Sequence, residues 1–233
     1  MAHKRYIMVD GPDGAGKGVI LEAISDSLFE TAFYPMGGRI IPQDVILAFE
    51  PTYEGIGAVI RNEIIKKGTG RSYSAATTAQ AYALDREVLY RTTVLPALKK
   101  QKFVVQDRGL PASLAYQSAQ AEISKEKLTV EDILALPGNK LALENAPGLL
   151  IIPDVDVKIA MKRLESRDKN DNSIFEVDDF QRKVKEFYHS QKFQDIFNMA
   201  GTRIEYISTG TNVEDTKKRS MEVARKYLRQ IKP

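Results

Sequence analysis

The sequence predicts an α/β fold in which a five-stranded parallel sheet carries helices on both faces. Five short apolar segments have the length and composition of buried strands. Helical spacing of apolar residues separates them, and this alternation is typical of parallel sheets. The strand segments are residues 6–9, 45–49, 102–106, 148–152 and 203–207. With 233 residues, the chain is expected to form a single domain, 1–233.

The predicted helices follow from apolar residues three and four positions apart. Pro96 is expected to bend or end one of them, and Thr129 followed by Asp132 resembles a capping box at the start of another. A polar loop is expected over 167–175. In chain order the helices are predicted at 17–32, 56–67, 74–100 and 111–122, from 129 onward, and at 155–166, 177–198 and 212–231.

Composition excludes several classes of protein. The chain has no cysteine, so neither disulfides nor zinc-thiolate sites are expected. No stretch of 18 apolar residues occurs, which argues against a membrane span. The net charge of +3 is too small to indicate a nucleic-acid partner. We therefore expect a cytoplasmic protein that acts on small molecules.

A phosphate-binding loop follows the first predicted strand. The segment from Gly11 to Lys17 has the pattern G-x-x-x-x-G-K, and a helix follows it, which is the context that supports this motif. Backbone N–H groups and the helix N-terminus would hold phosphates there. The sequence thus predicts a P-loop NTPase fold that binds a nucleoside triphosphate. The predicted phosphate-binding residues are Gly11, Asp13, Gly14, Ala15, Gly16, Lys17 and Gly18.

The magnesium ion expected with a triphosphate has an unusual setting. The residue after the lysine of this motif is normally Ser or Thr, but here it is Gly18, so a hydroxyl ligand is missing. Asp107 follows the third strand, where an acid can hold Mg²⁺ directly or through water. Arg108 comes next and can grip a phosphate. An ordinary Asp–Arg surface pair is the alternative.

Several motifs of this sequence resemble those of the thymidylate kinase family. The stretch Asp10-Gly-Pro-Asp-Gly-Ala-Gly-Lys17 is similar to the start of these enzymes, and Tyr82-Ala-Leu-Asp-Arg86 to a second motif. Two more family motifs have similar segments here. One corresponds to Asp107-Arg108 with the later Tyr116-Gln117, and the other to 156–167 with Phe175-Glu176. The resemblance extends from Arg5 to about Leu228. It implies transfer of the ATP γ-phosphoryl group to dTMP, with Mg²⁺, by a homodimer.

The resemblance also implies an acceptor site. Tyr82 would stack on the thymine ring, and Arg86 would hydrogen-bond a carbonyl of the base. Arg108 would bind the acceptor phosphate, and Tyr116 would lie under the sugar. Asp13 would contact the 3′-hydroxyl of the acceptor and its surroundings. Glu50 and Ser113 complete the implied acceptor site.

The catalytic cations are implied to come from a lid at about 163–176. Some thymidylate kinases carry an arginine at the loop position that is Gly14 here, and others use arginines from the lid. Arg167 is therefore predicted to contact the transferred phosphoryl group, with Arg163 next, while Lys169 is also available. The predicted catalytic residues are Lys17, Arg167, Arg163 and Asp13. The alternative for the lid arginines is an ordinary charged helix surface.

Two positions depart from the family pattern. Phe49 occupies the place of an arginine that normally contacts the acceptor phosphate, and either Arg39 or Arg61 would have to compensate. Tyr82 adds a hydroxyl to a stacking position that is usually phenylalanine. A kinase for another deoxynucleotide or a deoxynucleoside is therefore an alternative. Gly18 and Phe49 also leave open a non-catalytic nucleotide-binding protein. A nucleic-acid-stimulated ATPase is a further alternative, against which the weak net charge argues.

Overall fold

The computed structural model describes residues 2–30, 44–166, 173–210 and 212–231. The predicted five-stranded parallel sheet is confirmed, with strand order β2-β3-β1-β4-β5 and only parallel pairs. The phosphate loop therefore leaves the central strand, β1. The strands are β1 (His3–Val9), β2 (Val45–Phe49), β3 (Phe103–Asp107), β4 (Pro147–Asp154) and β5 (Arg203–Ser208).

Alternate residues of the central strands enter two cores, one on each face of the sheet. On β1, Tyr6 and Met8 belong to the larger core, and Ile7 and Val9 to the smaller one. Such two-sided burial explains why the strands are continuously apolar. Helices on both faces cover these cores, as the sequence predicts.

The helices agree with the predicted positions except at their junctions. Two π-helical turns, Ile60–Ile64 and Tyr90–Val94, extend α2 and α3. The helices are α1 (Lys17–Glu30), α2 (Gly55–Val59), α3 (Ala75–Leu89), α4 (Leu95–Lys99), α5 (Leu110–Ser124), α6 (Val130–Ala135), α7 (Pro137–Glu144), α8 (Val157–Glu165), α9 (Asp178–Tyr188), α10 (Gln191–Met199) and α11 (Val213–Gln230). None of the helices in the described ranges is long and apolar enough to cross a membrane.

The helical segment that begins with α3 continues past Pro96 into α4. The wide turn Tyr90–Val94 comes directly before α4, and Pro96 occupies the first turn of that helix. Proline is tolerated there because a first-turn residue needs no intrahelical N–H partner. The capping box predicted at Thr129 and Asp132 is confirmed in both of its hydrogen bonds.

The prediction of one helix over 177–198 is wrong. The chain forms α9 and α10, separated at His189 and Ser190. Ser190 has an extended backbone, with ψ of 150°, and its hydroxyl accepts a hydrogen bond from the Phe193 N–H. The apolar spacing continues through the break, so the pattern conceals a new N-cap whose serine is a strong helix-start residue.

Part of the predicted lid packs against the helix that follows β2. Ser173 forms an isolated antiparallel bridge with Lys66, and the Ile174 N–H donates to the Ile65 carbonyl at 2.9 Å. Arg167 and Lys169 of the lid lie outside the described residues, as does Arg39.

Candidate functional site

A cleft of about 1120 Å³ lies at the carboxyl ends of the central strands. This is the edge of a parallel sheet where ligands bind. Its walls come from the phosphate loop, the end of β2, α3, the start of α5 and the segment 173–176. Of the predicted site residues, those lining it are Asp13, Gly14, Gly16, Lys17, Gly18, Glu50, Tyr82, Asp107, Arg108, Ser113 and Tyr116.

The phosphate loop needs glycine at position 14. Gly14 has a φ of +71°, and a Cβ built on it would lie 2.3 Å from the carbonyl oxygen of Ala160 in α8. Both the backbone conformation and the space therefore exclude a side chain. An arginine here could not be accommodated without moving α8.

Lys17 is turned toward its own loop. Its ammonium donates to the carbonyls of Gly11 at 3.0 Å and Pro12 at 2.8 Å, and lies 4.0 Å from Asp13 Oδ1. Burial, together with the neighbouring Arg108 guanidinium, lowers the pKa of Lys17 to about 8. A phosphate can replace these two carbonyls as the partner of the ammonium, and its negative charge would favour the protonated form of Lys17.

Asp13 joins the phosphate loop to the turn after β3, to α5 and to α9. It forms an ion pair with Arg108, accepts a hydrogen bond from the Tyr116 hydroxyl at 3.0 Å, and accepts a longer one from the Gln181 amide at 3.3 Å. Burial acts to raise the pKa of Asp13, but the positive charges of Arg108 and Lys17 outweigh it and hold the pKa below its usual value. The structure thus brings together Asp13, Arg108 and Tyr116, three residues that the sequence predicts to lie in one site.

Arg108 has a backbone conformation that is rare for a residue with a side chain. Its φ is 63°, in the left-handed region. Hydrogen bonds on both sides hold it there: its N–H donates to the Val9 carbonyl at 2.9 Å, and its carbonyl accepts from Gln106 at 2.8 Å. Strain of this kind is found where a side chain must be aimed at a ligand.

Asp10 holds three parts of the site together, a role that the sequence analysis missed. One carboxylate oxygen accepts from the Gly11 N–H at 2.8 Å and the Tyr188 hydroxyl at 2.9 Å. The other accepts from the N–H groups of Gly109 at 2.9 Å and Ala112 at 3.0 Å. The phosphate loop, the turn after β3 and α9 thus share one buried acid. An acidic residue between a buried strand and a glycine is the signal that could have identified it.

Arg86 and Glu50 form a buried ion pair behind the cleft. Arg86 donates from Nε and Nη2 to the two carboxylate oxygens of Glu50, at 3.2 and 2.6 Å, and both side chains are buried. Burial raises the pKa of Glu50 to about 7, and the Arg86 guanidinium opposes this shift. Arg86 lies four residues after Tyr82 on α3, a spacing at which two side chains can share a helix face. Tyr82 lines the cleft, whereas the Arg86 side chain has no exposed surface.

Three further residues complete what we call the acceptor wall, which consists of Glu50, Arg86, Ser113, Gln106 and Asn139. Arg86 donates to the Ser113 hydroxyl at 2.9 Å and to the Asn139 carbonyl oxygen. Gln106 donates to Glu50 at 3.0 Å and accepts from the Tyr6 hydroxyl at 2.6 Å. The sequence indicates neither Gln106 nor Asn139, because each becomes part of the wall only through tertiary contacts.

Gln117 is another residue that the sequence analysis did not assign. It lines the cleft, is 1% exposed, and its amide oxygen has no hydrogen-bond partner within the described part of the chain. A buried amide oxygen without a partner is costly unless a ligand supplies a donor. Its position one residue after Tyr116, in a motif already noted, is the signal that could have identified it.

The place of the missing arginine is occupied by an aromatic cluster. The rings of Phe49 and Tyr53 lie 4.9 Å apart, and the Arg61 guanidinium lies 4.3 Å from the centre of the Tyr53 ring. Arg61 Nε also donates to the carbonyls of Pro51 and Thr52, each at 3.1 Å. Arg61 thus brings a cation into the cleft near Phe49, which fits the expectation that it could compensate.

The end of β3 has an oxygen suited to a hydrated cation. Asp107 lines the cleft, and its Oδ1 is buried with no hydrogen-bond partner in the described ranges. Elsewhere within those ranges, no three acidic or histidine side chains converge as a complete metal site. The donor set therefore fits an ion that keeps most of its water and phosphate ligands.

Arg163, for which the sequence predicts a role as a lid cation, lies at the end of α8 beside the phosphate loop. Its guanidinium donates to the Thr209 carbonyl at 2.6 Å and more weakly to the Gly14 carbonyl at 3.4 Å. The Thr209 hydroxyl in turn donates to the Ala15 carbonyl at 2.7 Å. Arg163 therefore connects α8, the turn after β5 and the phosphate loop.

The sequence matches a known protein family over most of its length. The family model described as "Thymidylate kinase" matches residues 9–219. A thymidylate kinase of Finegoldia magna is 30% identical over 95% of this chain and 98% of its own length. One from Ligilactobacillus salivarius is 30% identical over 90% of this chain and 92% of its own length.

Solved structures share the fold. Thymidylate kinase from Ehrlichia chaffeensis aligns with a TM-score of 0.64 at 20% identity, covering 94% of this chain and 96% of its own. The enzyme from Candida albicans aligns with a TM-score of 0.68 at 19% identity, covering 96% of this chain and 92% of its own. Because the family model and the relatives extend over nearly the whole sequence, the chain belongs to the thymidylate kinase family, the phosphotransferases that convert dTMP to dTDP with ATP.

Proposed function

We propose that this chain performs the family reaction with the cleft described above, binding ATP at the phosphate loop and dTMP against the acceptor wall. The observation that carries the proposal is the cluster of Asp13, Arg108 and Tyr116 in the same cleft as Lys17. Arg108 would bind the acceptor phosphate, and this places the nucleophilic oxygen beside the loop. Positioning of this kind supplies much of the rate enhancement in phosphoryl transfer.

The thymine ring would lie between Tyr82 and the acceptor wall. Tyr82 offers a stacking surface, and such stacking is worth about 1–3 kcal/mol per base. The unpartnered amide oxygen of Gln117 matches the imide N–H of the base. One Nη1 hydrogen of Arg86 has no acceptor among the described contacts. The other four N–H groups donate to Glu50, Ser113 and Asn139.

Lys17 and the lid arginines would stabilise the charge that develops on the transferred phosphoryl group. Lys17 would exchange its carbonyl partners for phosphate oxygens. Arg163 approaches the loop from α8, which supports a role near the ATP phosphates. Arg167 keeps its predicted role at the transferred group.

Asp107 would hold Mg²⁺, mainly through water. Its buried, unpartnered oxygen supports this assignment. A bound Mg²⁺ neutralises charge on the β- and γ-phosphates. Gly18 leaves open space, since a Cβ built there meets no atom within 4 Å in the described structure. Water can therefore replace the usual hydroxyl ligand.

A homodimer is also proposed. Leu84 and Val88 lie one turn apart on α3 and are 49% and 50% exposed. Paired apolar side chains on one exposed helix face are suited to an isologous contact. Sedimentation of the purified protein would test this directly.

The function is tested by measuring ADP release with ATP and Mg²⁺ against a panel of acceptors. We expect dTMP to be the best substrate, with dUMP weaker because it lacks the methyl group, and little turnover of thymidine or other monophosphates. No turnover of dTMP would contradict the proposal. Preference for thymidine would support the deoxynucleoside kinase alternative instead.

A further inference from the structure

The helix α7 does not line the cleft, yet it contributes Asn139 to the acceptor wall. Residues 130–144 contribute no side chain to the cleft walls. Asn139 nevertheless has no exposed surface and accepts a hydrogen bond from Arg86 Nη1. Burying a polar side chain costs more free energy than burying an apolar one. The presence of a buried asparagine in a helix outside the cleft therefore suggests a functional role.

The Asn139 amide is fixed from both ends. Its nitrogen donates to the Ile133 carbonyl at 2.7 Å, near the end of α6. This bond determines which amide atom faces Arg86, so the carbonyl oxygen is presented to the guanidinium. The arginine plane is thus held by Glu50 on one side and by Asn139 on the other.

Gly138 allows this arrangement. A Cβ built on it would lie 1.8 Å from the Ala83 carbonyl oxygen and 3.0 Å from the Glu87 nitrogen, both in α3. The start of α7 therefore rests directly on the backbone of the helix that carries Tyr82 and Arg86. Any side chain at this position would push α7 away and withdraw the amide from the guanidinium.

We infer that Asn139 is a positioning residue for recognition of the acceptor base, acting through Arg86, and that Gly138 sets the approach that makes this possible. The inference rests on the proposed function. Without the Asn139 oxygen, the guanidinium could rotate about its bonds to Glu50. The Ser113 hydroxyl, which lines the cleft and accepts a hydrogen bond from Arg86, would then lose its fixed partner.

The test compares steady-state kinetics of three variants with the wild-type enzyme. Asn139→Leu removes both hydrogen bonds at similar volume, and we expect it to raise the KM for dTMP about tenfold, with the KM for ATP and kcat nearly unchanged. Asn139→Asp keeps an acceptor but loses the donor to Ile133, so a smaller rise is expected. Asn145→Ala, at the other end of α7, removes hydrogen bonds to Leu141 and His3 and serves as the structural control.

The outcomes separate the inference from the function on which it rests. If the wild-type enzyme does not phosphorylate dTMP, the proposed function fails. If it does, an unchanged dTMP KM in Asn139→Leu, or an equal rise for both substrates, overturns the inference. So does a rise of the same size in Asn145→Ala. Should Asn139→Leu fail to fold, a wild-type dTMP KM in Asn139→Asp overturns it as well.

Discussion

The acceptor wall and the phosphate loop are built in opposite ways. In the wall, Arg86 and Glu50 are buried and their charged groups are paired with one another and with neighbouring polar side chains. In the loop, Lys17 and Arg163 bind backbone carbonyls that a phosphate can replace, and Asp107 retains a buried oxygen without a described partner. The comparison teaches that the wall proposed to recognise the base is pre-organised, whereas the charges proposed to act in catalysis would change partners when nucleotides bind.

Replacing Arg86 with alanine should produce the largest effect. Glu50 would be left as a buried carboxylate without its partner, which typically costs about 3–5 kcal/mol of stability. Chemical denaturation would measure this loss. Arg91→Ala, which breaks only an exposed pair with Glu87, is the matched control and should change little. A loss below about 1 kcal/mol, as for a surface pair, would contradict the buried-pair interpretation.

Replacing Lys17 with alanine should lower the turnover rate strongly while changing the stability of the fold little. We expect kcat to fall about 10²–10³-fold, because a positioned charge at the transferred phosphoryl group is removed. Thermal stability should change far less than in Arg86→Ala. The exposed Lys99 offers a control, since Lys99→Ala should keep full activity. Near-normal turnover in Lys17→Ala would contradict the loop assignment.

The pKa of Lys17 gives a pH prediction whose sign is definite. Because this pKa is lowered to about 8, the side chain is largely neutral above that pH and must take up a proton to bind phosphate. ATP binding at about pH 9 should therefore be accompanied by proton uptake, measured by calorimetry in buffers of different ionisation enthalpy. Lys17→Ala should abolish the uptake. Proton release in the wild-type protein would contradict the prediction.

The smallest effect is expected at Tyr188. Tyr188→Phe removes one hydrogen bond to Asp10 and leaves the other three in place, so about 1 kcal/mol of stability should be lost. Activity should remain within a few-fold of wild type. Denaturation and kinetics together test this, and a large loss of kcat would show that Asp10 depends on Tyr188 far more than its geometry indicates.

The phosphate side was largely predictable from the sequence, and the acceptor wall only in part. Gly11 to Lys17 form one local motif whose conformation follows from its glycines and the helix after it. Asp107 and Arg108 follow a strand, so their place at the edge of the sheet is also predictable. Asn139 lies 53 positions from Arg86, and its contact depends on the close approach of α7 at Gly138. Neither spacing nor residue type indicates such a contact.

The break between α9 and α10 shows a similar limit. Apolar periodicity continues through His189 and Ser190, so it cannot locate the end of a helix when the next one begins at once. Arg86 shows the reverse case. Its helical spacing from Tyr82 suggests a shared face, but the ion pair with Glu50 draws the side chain behind the cleft.

A crystal structure with dTMP and ADP bound tests the central contrast most directly. We predict that Arg86, Glu50 and Asn139 keep their mutual contacts, with backbone shifts below about 1 Å. Lys17 should leave the carbonyls of Gly11 and Pro12 for phosphate oxygens. An acceptor wall that dismantles on binding dTMP, or a Lys17 that keeps its carbonyl partners beside bound phosphates, would contradict the account.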